Sequence, residues 1–241
     1  MEVDASVRLT THLNALLDNR VSIEVAATQI VARDVAHHVV DPDDLLDVDS
    51  ARAITWERAL PRCLVIERNQ WQLALPRPGV LGCLRGPAEF NAAALAAGAA
   101  VLASGGQLGL VPIRVGQALQ WRVFQAVAPA PVPSPYETER ALREVVLEAA
   151  RTLETLDLVA GSGAGWRPPD VSVWAPGYPV LQRNSIAKAL GMLVATDLAL
   201  TDDGGSVSSW EADLRSRELR RVRDAASDAL VSAATWMRPN P

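Results

Sequence analysis

Cysteine, lysine and histidine are scarce in this chain of 241 residues, which contains two, one and three of them, respectively. The two cysteines, Cys63 and Cys83, cannot form a disulfide scaffold for a chain of this length, and we interpret both as free thiols of a reducing compartment. Three histidines provide few general bases or metal ligands. The scarcity of cysteine excludes a disulfide-rich secreted protein and predicts a cytoplasmic one.

Long apolar runs are absent as well. The longest one, residues 92–102 interrupted by Gly98, falls well short of the roughly 20 residues that a membrane span needs. The N-terminus begins with acidic residues and an amphipathic pattern, which is not typical of a signal peptide. Hydrophobic residues still make up 49% of the chain, which suffices for one large core or two modest ones. We therefore expect a folded protein without a membrane partner.

Basic charge comes almost entirely from arginine, because Lys188 is the single lysine among 23 basic residues. At a formal net charge of -5, abundant arginine does not indicate nucleic-acid binding. The charge is uneven, with 11 acidic and 5 basic residues in 1–60, 2 and 6 in 61–127, and 15 and 12 in 128–241. We predict no nucleic-acid partner, but the locally basic middle segment could attract an anion.

A proline-rich break divides the chain. Residues 128–135 contain four prolines, which remove backbone donors and favour an extended conformation, so neither a helix nor a central strand can continue through them. We predict that this segment links two regions, residues 1–127 and residues 136–241. We also expect the two regions to share an interface, because tryptophans occur in both.

Upstream of the linker, the hydrophobic pattern predicts helices first and strands afterwards. Apolar residues at helical spacing predict helices over residues 5–20 and 22–38, the second one capped by Ser22. The period then changes to two, which predicts a hairpin of residues 63–67 and 71–75. The region ends with a helix at 88–98 and with strands near 100–103, 108–115 and 119–127.

Downstream of the linker, three apolar stripes at helical spacing predict three helices. A turn at residues 202–205 separates the last two, and Ser208 with Glu211 forms a capping box for the final helix. The predicted fold class is therefore α+β: a mostly antiparallel sheet with helices on one face, followed by a C-terminal antiparallel helical bundle.

Two carboxylates and two histidines lie close together in the sequence, at Asp34, His37, His38 and Asp41. Adjacent histidines on a helix diverge by about 100°, so they do not readily share a metal ion. Asp197 lies in an apolar helical run, and we expect it to meet an arginine or a capping amide. We predict no catalytic residue, no metal site and no cofactor.

The best candidate site is an anion-binding segment over residues 77–91. Arg77 and Arg85 provide positive charge, while Gly86 and Asn91 lie at the start of a predicted helix, whose N-terminal amides favour a carboxylate or a phosphate. The competing interpretation is structural, because a loop between a strand and a helix needs glycine and proline. In that case we expect the arginines to pair with the acidic N-terminal helices.

Five short segments are distinctive in this chain: Pro76–Gly79, Gly86–Pro87, Phe90–Ala94, Asp202–Gly205 and Trp210–Ala212. Through them, the sequence from about residue 60 onward resembles a family of uncharacterised actinobacterial proteins. The resemblance implies an actinobacterial cytosolic protein, and it implies no activity, ligand or catalytic residue.

Two functions remain open at this point. The first is a non-catalytic cytosolic interaction or regulatory protein that forms a homodimer through a sheet edge or an apolar helix face. The second is a small-molecule enzyme or anion-binding protein that uses the Arg77–Asn91 segment and holds a small anionic ligand.

Overall fold

The computed structural model describes residues 2–32, 34–48, 52–155, 174–201 and 208–236. The described residues form seven helices and five strands. The helices are α1 (Glu2–Leu17), α2 (Ile23–Val31), α3 (Trp56–Ile66), α4 (Ala88–Ala97), α5 (Pro135–Glu154), α6 (Val180–Ala199) and α7 (Ser209–Thr235). The strands are β1 (His37–Val40), β2 (Trp71–Ala74), β3 (Ala100–Ala103), β4 (Gln107–Val115) and β5 (Ala118–Ala126).

The five strands form one mixed sheet in the order β1-β5-β4-β3-β2. β1 pairs parallel to β5, and the other three pairings are antiparallel. The predicted fold class, α+β with a mostly antiparallel sheet and a C-terminal helical region, is confirmed.

Two predicted elements were wrong. Residues 63–67 are not a strand, because the chain is helical from Trp56 to Ile66 and buries Trp56, Leu60 and Cys63 on one side of α3. The apolar run at 63–66 fits either period, and only packing decides between them. The second helix ends at Val31 instead of residue 38, and His37–Val40 forms β1 beside β5.

Helices cover both faces of the sheet. α1, α2 and α3 pack on one face against Val101, Leu110 and Trp121. The short helix α4 packs on the opposite face, where Phe90 contacts Phe124 with ring centroids 5.8 Å apart. Gly109 of β4 permits this approach, because a Cβ atom there would lie 2.4 Å from the Phe90 ring. The sequence predicted helices on one face of the sheet, and α1–α3 form that layer. Helix α4 forms a second layer on the opposite face.

Helix α1 joins the two halves of the chain. Every residue from Ala5 to Leu16 is buried. Leu9 and Leu13 belong to the core against the sheet, whereas Val7 and Ala15 belong to a second core with α5, α6 and α7. An amphipathic helix with one apolar face was expected, but the structure surrounds α1 on all sides.

The C-terminal helices pack antiparallel around α7. Glu148 of α5 contacts Arg221, and Ser232, near the end of α7, donates to Pro133 just before α5, so the two helices run in opposite directions. Ser208 and Glu211 form the predicted capping box of α7. The predicted turn at 202–205 lies outside the described residues.

The proline-rich segment has no regular secondary structure, but it is held along its length. Ala130 donates its N–H to the Cys83 carbonyl oxygen at 2.9 Å and accepts from the Gln72 side chain at 3.0 Å. The Pro133 carbonyl oxygen accepts from the Ser232 hydroxyl at 2.7 Å. The division of the chain into the regions 1–127 and 136–241 stays a prediction, and the contacts of α1 and of this segment cross it.

Both edges of the sheet are occupied. At the β2 edge, Asn14 accepts from the Trp71 N–H at 2.8 Å and donates to the Trp71 carbonyl oxygen at 2.9 Å, as a neighbouring strand would. The Thr235 hydroxyl accepts from the Leu73 N–H at 3.2 Å. At the β1 edge, Val39 exchanges two backbone hydrogen bonds with Ile54, both 2.8 Å long. The free strand edges that promote association between sheets are therefore covered.

Within the described part of the chain, none of the helices combines the length and the apolar character that crossing a membrane would require.

Candidate functional site

Arg77 of the predicted anion segment is engaged in an ion pair. Its Nε lies 2.6 Å from Oδ1 of Asp224 on α7, and only 16% of its side chain is exposed. The structural interpretation expected a partner in the acidic N-terminal helices, and the structure places that partner on the last helix instead. Arg77 thus ties the β2–α4 connection to α7.

The remaining residues of the predicted segment lie at the start of α4. The Gly86 N–H donates to Oδ1 of Asn91 at 3.1 Å, and the Gly86 carbonyl oxygen accepts from the Val127 N–H at 3.1 Å. The first of these bonds uses the Gly86 N–H, which is the backbone group of Gly86 that an anion would need as a donor. Arg85 is exposed and makes no ion pair with any residue that the structure describes. Anion binding by Arg77, Arg85, Gly86 and Asn91 stays a prediction.

A buried hydrogen-bond network includes His37. Its Nδ1 accepts from the indole N–H groups of Trp121 at 3.2 Å and Trp56 at 3.4 Å. Its Nε2 donates to Asp34 at 2.9 Å, and Asp34 also pairs with Arg8. Because burial disfavours the imidazolium, the pKa of His37 lies below its ordinary value. The network holds α1, β1 and α3 together, which is a structural role.

The other polar candidates are also engaged in structural contacts. Asp41 is buried and accepts from the backbone N–H groups of Leu45 and Leu46, at 3.0 and 2.7 Å. Asp197 meets Arg223 at 2.5 Å, so the expected arginine partner of Asp197 exists. Among the described residues, no group of three or more His, Cys, Asp or Glu side chains could hold a metal ion.

A groove of about 710 Å³ lies between the proline-rich segment, α5 and α7. We call it the α5–α7 groove. Its walls are mainly apolar and include Pro131, Ala141, Val145 and Val231. Its charged side chains are Arg77, Glu137, Arg221, Asp224 and Asp228. The acids Asp224 and Asp228 were not predicted as site residues, although their spacing of one helical turn places them on one face of α7.

A second apolar region lies on the other side of Arg77. It is a groove of about 410 Å³ between the end of α4, the start of α1 and α6, walled by Leu95, Leu190 and Val194. One turn beyond Val194, Leu198 is 57% exposed. We call this groove together with Leu198 the α4–α6 surface. An exposed apolar region that continues beyond a groove is typical of an interaction site.

Both thiols are expected to be inert in the folded protein. Cys63 and Cys83 are free and buried, and burial raises the pKa of Cys63 to about 12 and the pKa of Cys83 above its ordinary value. Since the thiolate is the reactive form, Ellman's reagent should label neither thiol in buffer and both in denaturant. Rapid labelling of the native protein would contradict the described burial.

Comparison with known proteins provides the family. The model of the Rv1486c-like protein N-terminal domain matches residues 6–136, and the model of the Rv1486c-like protein C-terminal domain matches residues 136–231. No curated protein and no solved structure matches the chain. The predicted membership in a family without an assigned activity is confirmed. The two domain models meet at residue 136, in the first turn of α5. The chain belongs to the family of Rv1486c-like proteins.

Proposed function

We propose that this chain is a non-catalytic interaction protein of the cytosol that forms a homodimer through the α4–α6 surface. The observation that carries the proposal is the exposed apolar pair Val194 and Leu198, which extends an apolar groove onto the outer face of α6. The two free, buried thiols support a reducing compartment.

The hydrogen bonds of the described residues support a non-catalytic role. Two of the three histidines are engaged within the core: His12 contacts the Arg8 carbonyl oxygen and Gln29, and His37 contacts Asp34 and two indoles. A general base must reach the proton that it removes, and these two rings face the protein interior. His38 is the exposed histidine.

The covered sheet edges direct the proposal to the helices. Asn14 and Thr235 occupy the β2 edge, and Ile54 occupies the β1 edge, so strand addition would have to break existing hydrogen bonds. Apolar helix faces need no such rearrangement. Burial of Val194 and Leu198 against a second copy would remove apolar surface from water, at about 25 cal/mol per Å².

Sedimentation velocity tests the dimer. We expect the average mass of the wild-type protein to rise with concentration from 25.8 kDa toward twice that value. Leu198→Glu should weaken the association by at least about tenfold, because it places a carboxylate in the apolar interface.

Val65→Glu is the matched control, since Val65 is 61% exposed on α3, away from the α4–α6 surface. This variant should associate like the wild-type protein. A wild-type mass of 25.8 kDa at every concentration would refute the proposal, as would equal weakening by both substitutions.

A further inference from the structure

The α5–α7 groove has the dimensions of a ligand site. Its volume of about 710 Å³ lies within the range of roughly 300–1,000 Å³ that small-molecule sites occupy. Its walls come from α5, α7, the proline-rich segment and the β2–α4 connection, and its apolar lining includes Leu75, Pro131, Val145 and Val231. Because Ala130 and Pro133 are hydrogen-bonded to their surroundings, the proline-rich wall is held in place.

The charges around the groove do not balance. Arg77 is paired with Asp224 at 2.6 Å, and Arg221 is paired with Glu148 and Glu218, both at 2.7 Å. Both cations of the groove are therefore engaged. Asp228 has no hydrogen bond or ion pair within the part of the chain that the structure describes.

Charged groups from three of the walls line the groove together with Asp228, and the proline-rich segment adds none. The β2–α4 connection contributes Arg77, α7 contributes Asp224 and Arg221, and the first turn of α5 contributes Glu137. Glu137 serves the helix cap, since its carboxylate accepts from the Ser134 N–H at 2.9 Å. Among the described residues, the groove carboxylate that remains without a hydrogen bond or ion pair is that of Asp228, one turn beyond Asp224.

We propose that the α5–α7 groove binds a small organic cation, in which an apolar body fills the groove and a protonated amine pairs with Asp228. The apolar walls match the body, and the unpaired carboxylate matches the charge. This site lies across Arg77 from the α4–α6 surface, and the two grooves share Leu75, Arg77 and Ser227 as lining residues.

The titration of Asp228 agrees with a partly desolvated carboxylate that lacks its counter-ion. More than a third of Asp228 is exposed. The groove walls nevertheless desolvate its carboxyl group, which raises the pKa of Asp228. The positive charge of Arg77 lowers this pKa, and the negative charge of Asp224 raises it further. A bound ammonium group would stabilise the ionised form and lower this pKa.

Three probes with one apolar body test the charge requirement: 4-phenylbutylamine, 4-phenylbutan-1-ol and 4-phenylbutyrate. Each is titrated into the wild-type protein and followed by two-dimensional NMR. We expect the amine to bind about tenfold more tightly than the alcohol, with shifts at Ala141, Val145 and Val231. The carboxylate should bind most weakly.

Asp228→Asn should abolish the preference for the amine and leave the affinity for the alcohol unchanged. In the wild-type protein, the affinity for the amine should fall as the pH is lowered, because protonation removes the negative charge of Asp228, and this fall should begin at a higher pH than for an ordinary aspartate. The variant should show no such fall. Asp213→Asn is the matched control, because Asp213 is an exposed acid elsewhere on α7. It should behave like the wild-type protein.

Three results would overturn the proposal. The first is tighter binding of the carboxylate than of the amine, which would indicate an anion site at Arg77. The second is an amine preference that Asp228→Asn does not change, and the third is the absence of shifts in the groove with all three probes. Ala141→Trp, which fills the groove, separates binding in the groove from binding elsewhere, because it should abolish the shifts of the amine and the alcohol alike.

Discussion

Replacement of Asn14 by alanine is expected to destabilise the protein by about 4 kcal/mol. The Asn14 side chain accepts from the Trp71 N–H and donates to the carbonyl oxygens of Trp71 and Thr235. Alanine would leave the two buried backbone groups of Trp71 without a partner, at a cost of about 1–3 kcal/mol for each group. The loss is a large fraction of the roughly 5–15 kcal/mol that holds a domain folded.

Urea unfolding monitored by circular dichroism measures this change, and the m-value should stay constant. Asn184→Ala is the matched control, because Asn184 is exposed on α6 and its substitution should change the free energy of unfolding by less than about 0.5 kcal/mol. Asn14→Ala should also aggregate more readily, since the β2 edge becomes available for pairing. A loss below about 1 kcal/mol for Asn14→Ala would show that water satisfies the Trp71 groups.

His37→Ala is expected to destabilise the protein by about 3–4 kcal/mol near pH 7.5. The substitution removes the acceptor of two indole N–H groups and the donor to Asp34, and it leaves a cavity in a closely packed region. Trp56 and Trp121, which stack edge to face at 5.6 Å, would lose their shared acceptor. Tryptophan fluorescence during urea unfolding reports on the same residues.

The same histidine should make the wild-type protein sensitive to acid. Burial lowers the pKa values of His37 and His12 in the folded protein, below the ordinary value of 6.5. The unfolded chain therefore binds more protons below that pH, so the stabilisation is complete above about pH 6.5 and is lost as the pH falls. Each histidine adds a slope of at most about 1.4 kcal/mol per pH unit.

The pH dependence has its own control on the same strand. His38 is exposed on β1, and His38→Gln should retain the acid sensitivity of the wild-type protein. His37→Ala should reduce the slope, with the contribution of His12 remaining. An unchanged slope in His37→Ala would show that other groups cause the acid sensitivity.

Local signals in the sequence predicted the elements that local interactions stabilise. The Ser22 cap of α2, the capping box of Ser208 and Glu211, and the strands β3, β4 and β5 all appear in the structure. A side chain that caps a helix and the amides that it satisfies lie within three or four residues of each other. Neighbouring strands joined by short turns depend on similarly local contacts.

Elements without a distinct period could not be predicted in this way. The run Cys63–Ile66 is apolar throughout, and it is helical because Trp56, Leu60 and Cys63 fit against α1 and α2. Residues 37–40 form a strand because β5 offers them an edge. Neither packing partner is adjacent in the sequence, so tertiary contacts override the local preference.

The sequence by itself determined the family, the α+β class, the proline-rich break and the free thiols, because composition and local spacing carry that information. Only the tertiary structure decided the partners of the polar side chains. Arg77 pairs with Asp224 instead of an N-terminal acid, Asn14 closes the β2 edge, and Asp228 lies beside a groove without an ion pair to any described residue. The physical reason is that ion pairs and hydrogen bonds depend on distances of about 3–4 Å. Folding sets these distances between residues that are far apart in the chain.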